Sequence, residues 1–404
     1  MAIACPDCGT LQNLPPPPFG SNATCPVCQH KLERTSGRSV VAALACSTAT
    51  FALLFPANLL PLMKVSLLGM HRQSRLFSSV TSLWHEHWVI VALLVGVFVI
   101  VLPFLRFGLL SVVLACVRLG LRPCWLGRVF RWSLHLDHWA MPDVFLIGCA
   151  VGYSRVAVNL PVVIGAGGWC FVGAALLCML SRATLDRRTV WRAIAPEPPS
   201  PDAPAAAISC VVCDVVMPAT AENTPCPRCQ RRLRARKPNA LLHTIALTIA
   251  GFVLYLPANI YPMSVAIQPG GVTQHRIVDG IRELYHAGFW PLAIVIFCTS
   301  IAIPALKLVG MTWLVLSVRH ESSRHLVFKT RLYRIIDEIG RWSNVDVFIV
   351  AVFLPLIHFG GLASTHPAPA ITAFMLVVVL TMIASRSFDP RLLWDAGLRQ
   401  RQPA

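Results

Sequence analysis

Long apolar segments constrain the fold of this chain more than any other feature. Several runs approach twenty residues with few charges, and a helix needs about 20 apolar residues to cross the hydrocarbon core of a membrane. Only 13% of the residues are charged and the mean hydropathy is +0.63, whereas soluble proteins carry about 25% charged residues. The sequence therefore predicts a polytopic membrane protein.

The chain also contains an internal duplication, with an offset of about 200 residues between its halves. The motif FPANLLP at 55–61 aligns with LPANIYP at 256–262. Further aligned pairs are Pro103 with Pro304, Arg106 with Lys307, Trp139 with Trp342, and Asp143 with Asp346. Each half is therefore a cysteine-rich segment followed by the same membrane unit.

Each membrane unit is predicted to contain four spans. They are expected at about 39–62, 88–117, 139–158 and 164–181 in the first half, and at about 240–262, 289–317, 344–362 and 370–385 in the second. Asn159, Leu160 and Pro161 leave room only for a tight turn between the third and fourth spans of the first half. Two long spans, one tilted helix and a re-entrant pair all stay open there.

Four CxxC pairs account for eight of the fifteen cysteines. They are CPDC (Cys5, Cys8), CPVC (Cys25, Cys28), CVVC (Cys210, Cys213) and CPRC (Cys226, Cys229). Two such pairs, sixteen residues apart in the first half and twelve in the second, bring four thiolates together in a zinc ribbon. Disulfides, a redox dithiol and an iron–sulfur cluster are the alternatives. The sequence favours two structural Zn²⁺ sites with four cysteine ligands each.

The predicted fold class is an all-α polytopic membrane protein with two tandem four-helix transmembrane units, each preceded by a small cytoplasmic zinc ribbon. The expected domains are zinc ribbon 1 at 1–38, transmembrane unit 1 at 39–192, a Pro/Ala linker at 193–207, zinc ribbon 2 at 208–238, transmembrane unit 2 at 239–386 and a tail at 387–404. The composition of the linker favours an extended tether.

The distribution of Lys and Arg predicts the topology. An even number of spans per unit places both ribbons on one side, and most of the 35 Lys and Arg residues lie in segments on that side. The presumed outer loops contain only Lys64, Arg72, Arg75, Arg276 and Arg282. The positive-inside rule then predicts that ribbons, termini and linker are cytoplasmic. The net charge of +17 is explained by these flanking residues, so nucleic-acid binding is not expected.

Charged and polar residues inside the spans are candidates for a transport pathway. They are Asn58, Arg106, Asp143, Arg155, Asn259, Lys307 and Asp346. Buried charge in lipid usually faces a bundle interior or a cavity. The alternative is structural: Asp143 and Asp346 at headgroup level, Arg106 and Lys307 extending to the interface, and Asn58 and Asn259 bonding across helices near a proline kink.

The combination of features resembles the paraquat-inducible protein A family. The resemblance rests on the duplicated CxxC ribbons, the PANxxP motif of each half and the ending SFDPRLLWD at 387–395, and it covers essentially the whole chain. It implies a protein of the inner membrane of Gram-negative bacteria. It also implies a periplasm-spanning partner with mammalian-cell-entry (MCE) domains, and movement of phospholipids between the membranes. The family often has Lys near Arg155. Because Arg cannot release a proton, the sequence does not favour a proton relay at this position, but it stays compatible with binding of a lipid headgroup.

The sequence is compatible with three candidate functions. The first is a lipid-handling membrane subunit in which a groove through the spans delivers lipid to the MCE partner. The second is a zinc-ribbon scaffold or stress sensor that regulates envelope machinery and carries no lipid. The third is a redox enzyme using the CxxC dithiols. Motifs for nucleotide hydrolysis or covalent catalysis are absent, so the sequence favours a protein that is not an enzyme.

Overall fold

Among the residues that the computed structural model describes, six helices are long and apolar enough to cross a membrane, three in each half. The structure describes residues 2–13, 22–34, 39–67, 70–157, 161–195, 207–268, 271–286, 288–340, 342, 348–349 and 364–401. The chain is therefore a mostly helical, multi-pass membrane protein, as the sequence predicts. The number of four spans per unit is not confirmed.

The elements of the first half are β1 (Ala2–Ala4), β2 (Leu11–Asn13), β3 (Asn22–Thr24), β4 (Lys31–Arg34), α1 (Val40–Leu59), β5 (Met63–Leu67), β6 (Met70–Ser74), α2 (Leu76–His85), α3 (Val89–Arg118), α4 (Leu126–Leu136), α5 (Pro142–Ala157), β7 (Val162–Ile164), α6 (Ala166–Thr184) and α7 (Arg187–Ile194). The six long helices include α1, α3 and α6. Within this half, α1 packs against both α3 and α6.

The elements of the second half are β8 (Ala207–Ser209), β9 (Val216–Pro218), α8 (Ala240–Ile260), β10 (Ser264–Gln268), β11 (Gly271–His275), α9 (Ile277–His286), α10 (Trp290–Arg319), α11 (Leu326–Ile339), β12 (Ser364–Pro367), α12 (Pro369–Ser387) and α13 (Arg391–Arg401). Here α8 packs against α10 and α12, so the packing of the first half is repeated.

The third predicted span of the first half is shorter than expected. Helix α5 has 16 residues, about 24 Å of helix, whereas the hydrocarbon core is about 30 Å thick. The helix starts at Pro142, because proline favours the first helical position. The backbone just before this helix binds a side chain of α6: the carbonyl groups of Asp137 and Ala140 accept hydrogen bonds from Arg182, both at 3.0 Å. Most of the corresponding run at 344–362 lies outside the described residues.

Two three-stranded antiparallel sheets were not anticipated by the all-α prediction. Their strand orders are β6-β5-β7 and β11-β10-β12. Because β7 follows α5 and pairs with β5, the chain is back on the side of the molecule where α1 ends. We call this the hairpin side. The opposite side, which carries the cysteine-rich segments, is the ribbon side.

Close backbone contact fixes α6 against the end of α1. The N–H groups of Gly165 and Gly167 donate to the carbonyls of Leu62 and Pro61, at 2.9 and 3.1 Å. A Cβ on Gly165 would lie 2.1 Å from the carbonyl oxygen of Pro61. Only glycine fits at this approach. It explains the run Gly165, Ala166, Gly167, Gly168 in the sequence.

Helices α3 and α10 both contain a π-helical turn, and both are longer than the membrane is thick. Each has a π-helical turn, Gly96–Val101 and Phe297–Ala302, directly before the prolines at 103 and 304. Each helix has 30 residues, about 45 Å, which exceeds the hydrocarbon thickness of about 30 Å. Their ends therefore extend from the membrane on the ribbon side, where α4 packs on α3 and α11 packs on α10.

The largest buried cluster joins the two halves. Phe145 of α5 contacts Phe171 of α6 and also Phe348 of the second half, with ring centroids 5.1 and 5.4 Å apart. Val95 and Phe98 of α3 belong to the same cluster, together with buried residues of α12. The halves are thus packed together through the membrane part of the molecule.

Candidate metal centres and charge clusters

The eight cysteines of the CxxC pairs form two compact clusters. In the first, Sγ of Cys5 lies 3.4 Å from that of Cys28, and Sγ of Cys8 lies 3.7 Å from that of Cys25. In the second, the distances are 3.4 Å for Cys210–Cys229 and 3.5 Å for Cys213–Cys226. Four thiolates bound to zinc at about 2.3 Å lie about 3.8 Å from one another. The donor set and the spacing therefore fit a tetrahedral metal ion.

The backbone of each CxxC turn is folded to present both sulfurs on one side. The N–H of the residue after the second cysteine donates to the carbonyl of the first, as from Gly9 to Cys5 at 2.9 Å. That residue has positive φ in all four turns: Gly9 at 77°, Gln29 at 59°, Asp214 at 58° and Gln230 at 58°. A disulfide needs the sulfurs about 2.05 Å apart, and all fifteen cysteines are free. The geometry supports metal binding over disulfide pairing.

The first cysteine-rich segment, ribbon 1 (β1 to β4), packs on the second half of the chain. Arg334 of α11 donates to the carbonyl of Cys28 at 2.9 Å and forms an ion pair with Asp7. Arg391 donates to the carbonyl of Pro6 at 3.1 Å, and Trp394 packs on the cysteine cluster. Burial opposes ionisation of Asp7, but His30 and Arg334 outweigh it and lower the pKa of this carboxyl. The contact is therefore charge-assisted at neutral pH.

The second segment, ribbon 2 (207–233), packs on the first half. Arg131 of α4 donates to the carbonyl of Cys229 at 3.1 Å, and Arg128 donates to Gln230 at 3.0 Å. A Cβ on Gly127 would lie 2.0 Å from the carbonyl oxygen of Arg228, so helix and ribbon are in backbone contact. Buried side chains of α3, α4 and α7 complete the interface around the cysteines.

Each ribbon is thus docked on the half of the chain that does not follow it. The two ribbons also touch each other through β1 and β9. Arg188 of α7 lies between them, 3.5 Å from Glu33 of ribbon 1 and 3.7 Å from Asp214 of ribbon 2. The ribbons therefore cross over and join the two halves on the ribbon side.

A buried charge cluster lies at the ribbon-side end of the first membrane unit. Asp137 contacts three arginines: Arg106 at 2.6 Å, Arg182 at 2.9 Å and Arg187 at 3.1 Å. Arg182 also pairs with Asp143 at 2.7 Å. Burial would raise the pKa of Asp137, but the neighbouring arginines outweigh it and hold that pKa well below its usual range. The carboxylate stays ionised and neutralises Arg106, which is only 2% exposed.

The second half has a related but different arrangement. Lys307, also 2% exposed, donates to the hydroxyl of Thr381 at 3.0 Å. Among the described residues, no carboxylate oxygen lies within 4.0 Å of its ammonium group. Asp337, at the position along α11 that corresponds to Asp137, accepts a hydrogen bond from Ser385 at 3.2 Å. The buried cation of this half is therefore a lysine in a more weakly polar environment.

The remaining candidates are placed as follows. Asn58 and Asn259 donate within their own helices, to the carbonyls of Leu54 and Tyr255 at 2.7 and 2.8 Å. These amide nitrogens form no hydrogen bond to another helix in the described part of the chain, and both residues lie near the hairpin side, away from the charge clusters. Arg155 belongs to α5, but its side chain is outside the described part, and so is Asp346. Their role in a pathway stays a prediction.

Sequence reasoning missed Asp137 and Arg182, the centre of the first cluster. A signal was available for the arginine, because the dipeptide Ser-Arg occurs at 181–182 and again at 385–386, at the end of α6 and of α12. In the topology prediction both arginines serve only as positive charges that flank a span. Their position at the end of a span does not distinguish a solvated residue from one that binds across the bundle.

A model of one protein family, described as "Paraquat-inducible protein A", matches residues 40–195 and again residues 241–397. The chain belongs to the paraquat-inducible protein A family. Each match starts at the first long helix of one half, so the paired matches agree with the duplication in the sequence. The family match leaves both cysteine clusters outside its two ranges.

Relatives of the family align with almost the whole chain. "Intermembrane transport protein PqiA" of Escherichia coli K12 is 31% identical over 99% of this chain and 96% of its own length. "Lipophilic envelope-spanning tunnel protein A" of the same strain is 29% identical over 97% of this chain and 91% of its length. "Probable intermembrane transport protein" of Haemophilus influenzae is 25% identical over 99% and 97%. No solved structure matches the chain significantly.

Proposed function

We propose that this protein is the inner-membrane subunit of a lipid transport system that supports outer-membrane integrity. The observation that carries the proposal is the near-complete alignment with two relatives, one named for intermembrane transport and one for a lipophilic envelope-spanning tunnel. Phospholipids are the proposed cargo, and a periplasm-spanning protein with MCE domains is the proposed partner. The protein acts without catalysing a reaction.

The proposed topology places the ribbon side in the cytoplasm and the hairpin side in the periplasm. The excess of Lys and Arg on the ribbon side supports this orientation. The proposed domains have the boundaries that the sequence predicts, with four passes in each unit. The pairing of β7 with β5 supports an additional pass by α5 and the residues after it. Each ribbon holds one Zn²⁺ through its four cysteines and braces the units from the cytoplasm.

Within the membrane, the two charge clusters have different proposed roles. In the first cluster Arg106 is paired with Asp137 and Asp143 is paired with Arg182, which suits a structural role. Lys307 donates one hydrogen bond to Thr381, so its ammonium group can donate others to a lipid headgroup. Unlike an arginine, it can also release a proton. Arg155 and Asp346 remain proposed members of the pathway. The hairpin side, with its two sheets, is the proposed docking surface for the MCE partner.

Crosslinking of the protein in native membranes, followed by affinity purification and mass spectrometry, tests the proposed partner. We expect the purified complex to contain a periplasm-spanning protein with MCE domains. An unrelated multi-pass protein carrying the same tag is the control. Recovery of cytoplasmic regulators alone would favour the second candidate, a scaffold that carries no lipid; the crossed ribbons are the observation that supports it.

A Lys307→Met variant separates transport from scaffolding. The change removes a buried ammonium group and fits a similar volume, so we expect normal protein abundance. A transporter that uses Lys307 loses most of its envelope protection, measured as survival of cells on detergent. Lys31→Met, at an exposed position of β4 on the ribbon side, is the matched control and should retain full protection. Full protection by Lys307→Met would contradict a role of this ammonium group in transport.

A further inference from the structure

A cationic cavity lies on the ribbon side, between the two halves of the molecule. Its volume is about 420 Å³, within the range of small-ligand sites. Its ionisable lining residues are Arg131, His135, His138, Arg187, Arg231 and Arg386. These residues come from α4 and the turn after it, from α7, from ribbon 2 and from α12. Trp132 provides part of the apolar wall. The cavity therefore exists only because ribbon 2 and both units meet there.

The hydrogen-bonding capacity of this lining is incompletely used. Arg187 pairs with Asp137 at 3.1 Å, and Arg131 donates to the carbonyl of Cys229 at 3.1 Å. In contrast, Nη1 of Arg386 and Nδ1 of His138 are buried and have no hydrogen-bond partner among the described residues. Leaving a buried polar group unsatisfied costs about 1–3 kcal/mol, and more for a charged one. Among the described residues, no carboxylate lines the cavity.

The pKa values of the two histidines in the lining are lowered, first by burial and then by neighbouring arginines. Burial lowers the pKa of His138 to about 4, with a further contribution from the charge of Arg386. Burial, and then the charges of Arg386, Arg231 and Arg131, lower the pKa of His135. Nearby Asp137 and Asp337 act in the opposite direction on His138 without cancelling the effect. Both imidazoles are therefore neutral at pH 7, and the formal charge of the cavity lining comes from its arginines.

The cavity lies at the membrane surface, where both lipid headgroups and soluble anions can reach it. Arg386 lies in the last turn of α12, and Arg187 begins α7 just after α6 ends, so both are at the ribbon-side membrane surface. We propose that this cavity binds a phosphate group, presented either by an anionic phospholipid of the adjacent leaflet or by a soluble phosphate ion. The planar guanidinium groups of arginine match phosphate oxygens in pairs. The proposal does not depend on lipid transport by the protein.

Binding to the purified full-length protein in phosphatidylcholine nanodiscs tests the proposal. Inorganic phosphate is titrated by isothermal calorimetry, and nanodiscs with a minority of phosphatidylglycerol are analysed by mass spectrometry for lipid retained by the protein. We expect Arg231→Gln and Arg386→Gln each to weaken binding about tenfold, the effect of about 1.4 kcal/mol. Arg234→Gln changes an exposed arginine directly after ribbon 2 that does not line the cavity, and this variant should bind like the wild type.

The two measurements distinguish the source of the phosphate. Phosphate binding without enrichment of phosphatidylglycerol identifies a soluble anion, and enrichment without phosphate binding identifies the lipid headgroup. Arg231 is exposed, so its variant should fold even if the Arg386 variant does not. The proposal is overturned if neither probe binds, or if the Arg231 variant binds both probes as tightly as Arg234→Gln does. Neither readout measures transport, so the transport proposal stands or fails separately.

Discussion

A Cys226→Ser variant is expected to bind one metal ion in place of two and to unfold at a clearly lower temperature. Cys226 lies 3.5 Å from Cys213 in the second cluster, and serine leaves only three thiolates for the metal. A small ribbon has little core of its own, and bound zinc contributes most of its folding free energy, roughly 10–16 kcal/mol in zinc-finger peptides. Ribbon 2 also covers buried residues of α3, α4 and α7, so its loss exposes apolar surface of the first unit.

Metal analysis by inductively coupled plasma mass spectrometry and thermal unfolding in detergent measure these two effects. Cys124→Ser is the control, because Cys124 is exposed on the same side and belongs to neither cluster. It should retain two metal ions and change stability by less than about 0.5 kcal/mol. A Cys226→Ser protein that keeps both ions and unfolds normally would show that the second cluster is not a structural metal site.

An Asp137→Asn variant is expected to lose about 3–5 kcal/mol of unfolding free energy, because it removes one partner of a buried ion pair. Arg106 is 2% exposed and its guanidinium lies 2.6 Å from Asp137. Asparagine cannot balance the charge of Arg106 or of Arg182, which shares the same carboxylate. The variant should therefore be depleted from membranes, with its melting temperature measured on the fraction that remains.

Two further variants establish the cause. Combining Asp137→Asn with Arg106→Met removes both charges, and it should recover part of the lost stability, since an apolar replacement of a buried ion pair is often tolerated. The control Asp395→Asn breaks an ion pair with Arg236 in which the side chains of Asp395 and Arg236 are 30% and 37% exposed. It should lower the free energy of unfolding by at most about 1 kcal/mol. Equal effects at Asp137 and Asp395 would contradict the importance of burial.

The stabilisation by Asp137 also has a defined pH range. Its pKa in the folded protein is held below the ordinary value of 3.8 by the arginines. The unfolded state therefore takes up the proton first, and stability from this group is fully present above about pH 4 and is lost as the pH falls further. No contribution of Asp137 to pH dependence is expected near neutrality.

Much of the architecture was predictable from short-range patterns. The apolar runs predicted eight spans, of which six are long apolar helices among the described residues, and the repeated motif with Asn58 and Asn259 predicted two equivalent halves. The CxxC spacing predicted the two cysteine clusters. Each of these features depends on residues close together in the chain, where helical period, length and turn geometry determine the structure.

The unpredicted features depend on long-range pairing. The sheet that joins Val65 to Val162 connects residues almost a hundred positions apart, and neither short strand has a distinctive pattern alone. Asp137 and Asp337 are 200 positions apart, whereas Trp139 and Trp342 are 203 positions apart. An alignment of the halves that pairs the two tryptophans therefore does not pair the two aspartates. Nothing in the ribbons' own sequences indicates that they cross to the opposite halves.

The crossed ribbons impose an order on the synthesis of this protein. Ribbon 1 leaves the ribosome long before Arg334, Arg391 and Trp394, to which it docks, have been made. During translation its strands and its cysteine cluster provide its local order while the long helices enter the bilayer. A nascent chain that stops before residue 334 lacks all three of these partners. The contact between Pro6 and Arg391 therefore forms late in synthesis, and it joins two segments that are 385 residues apart.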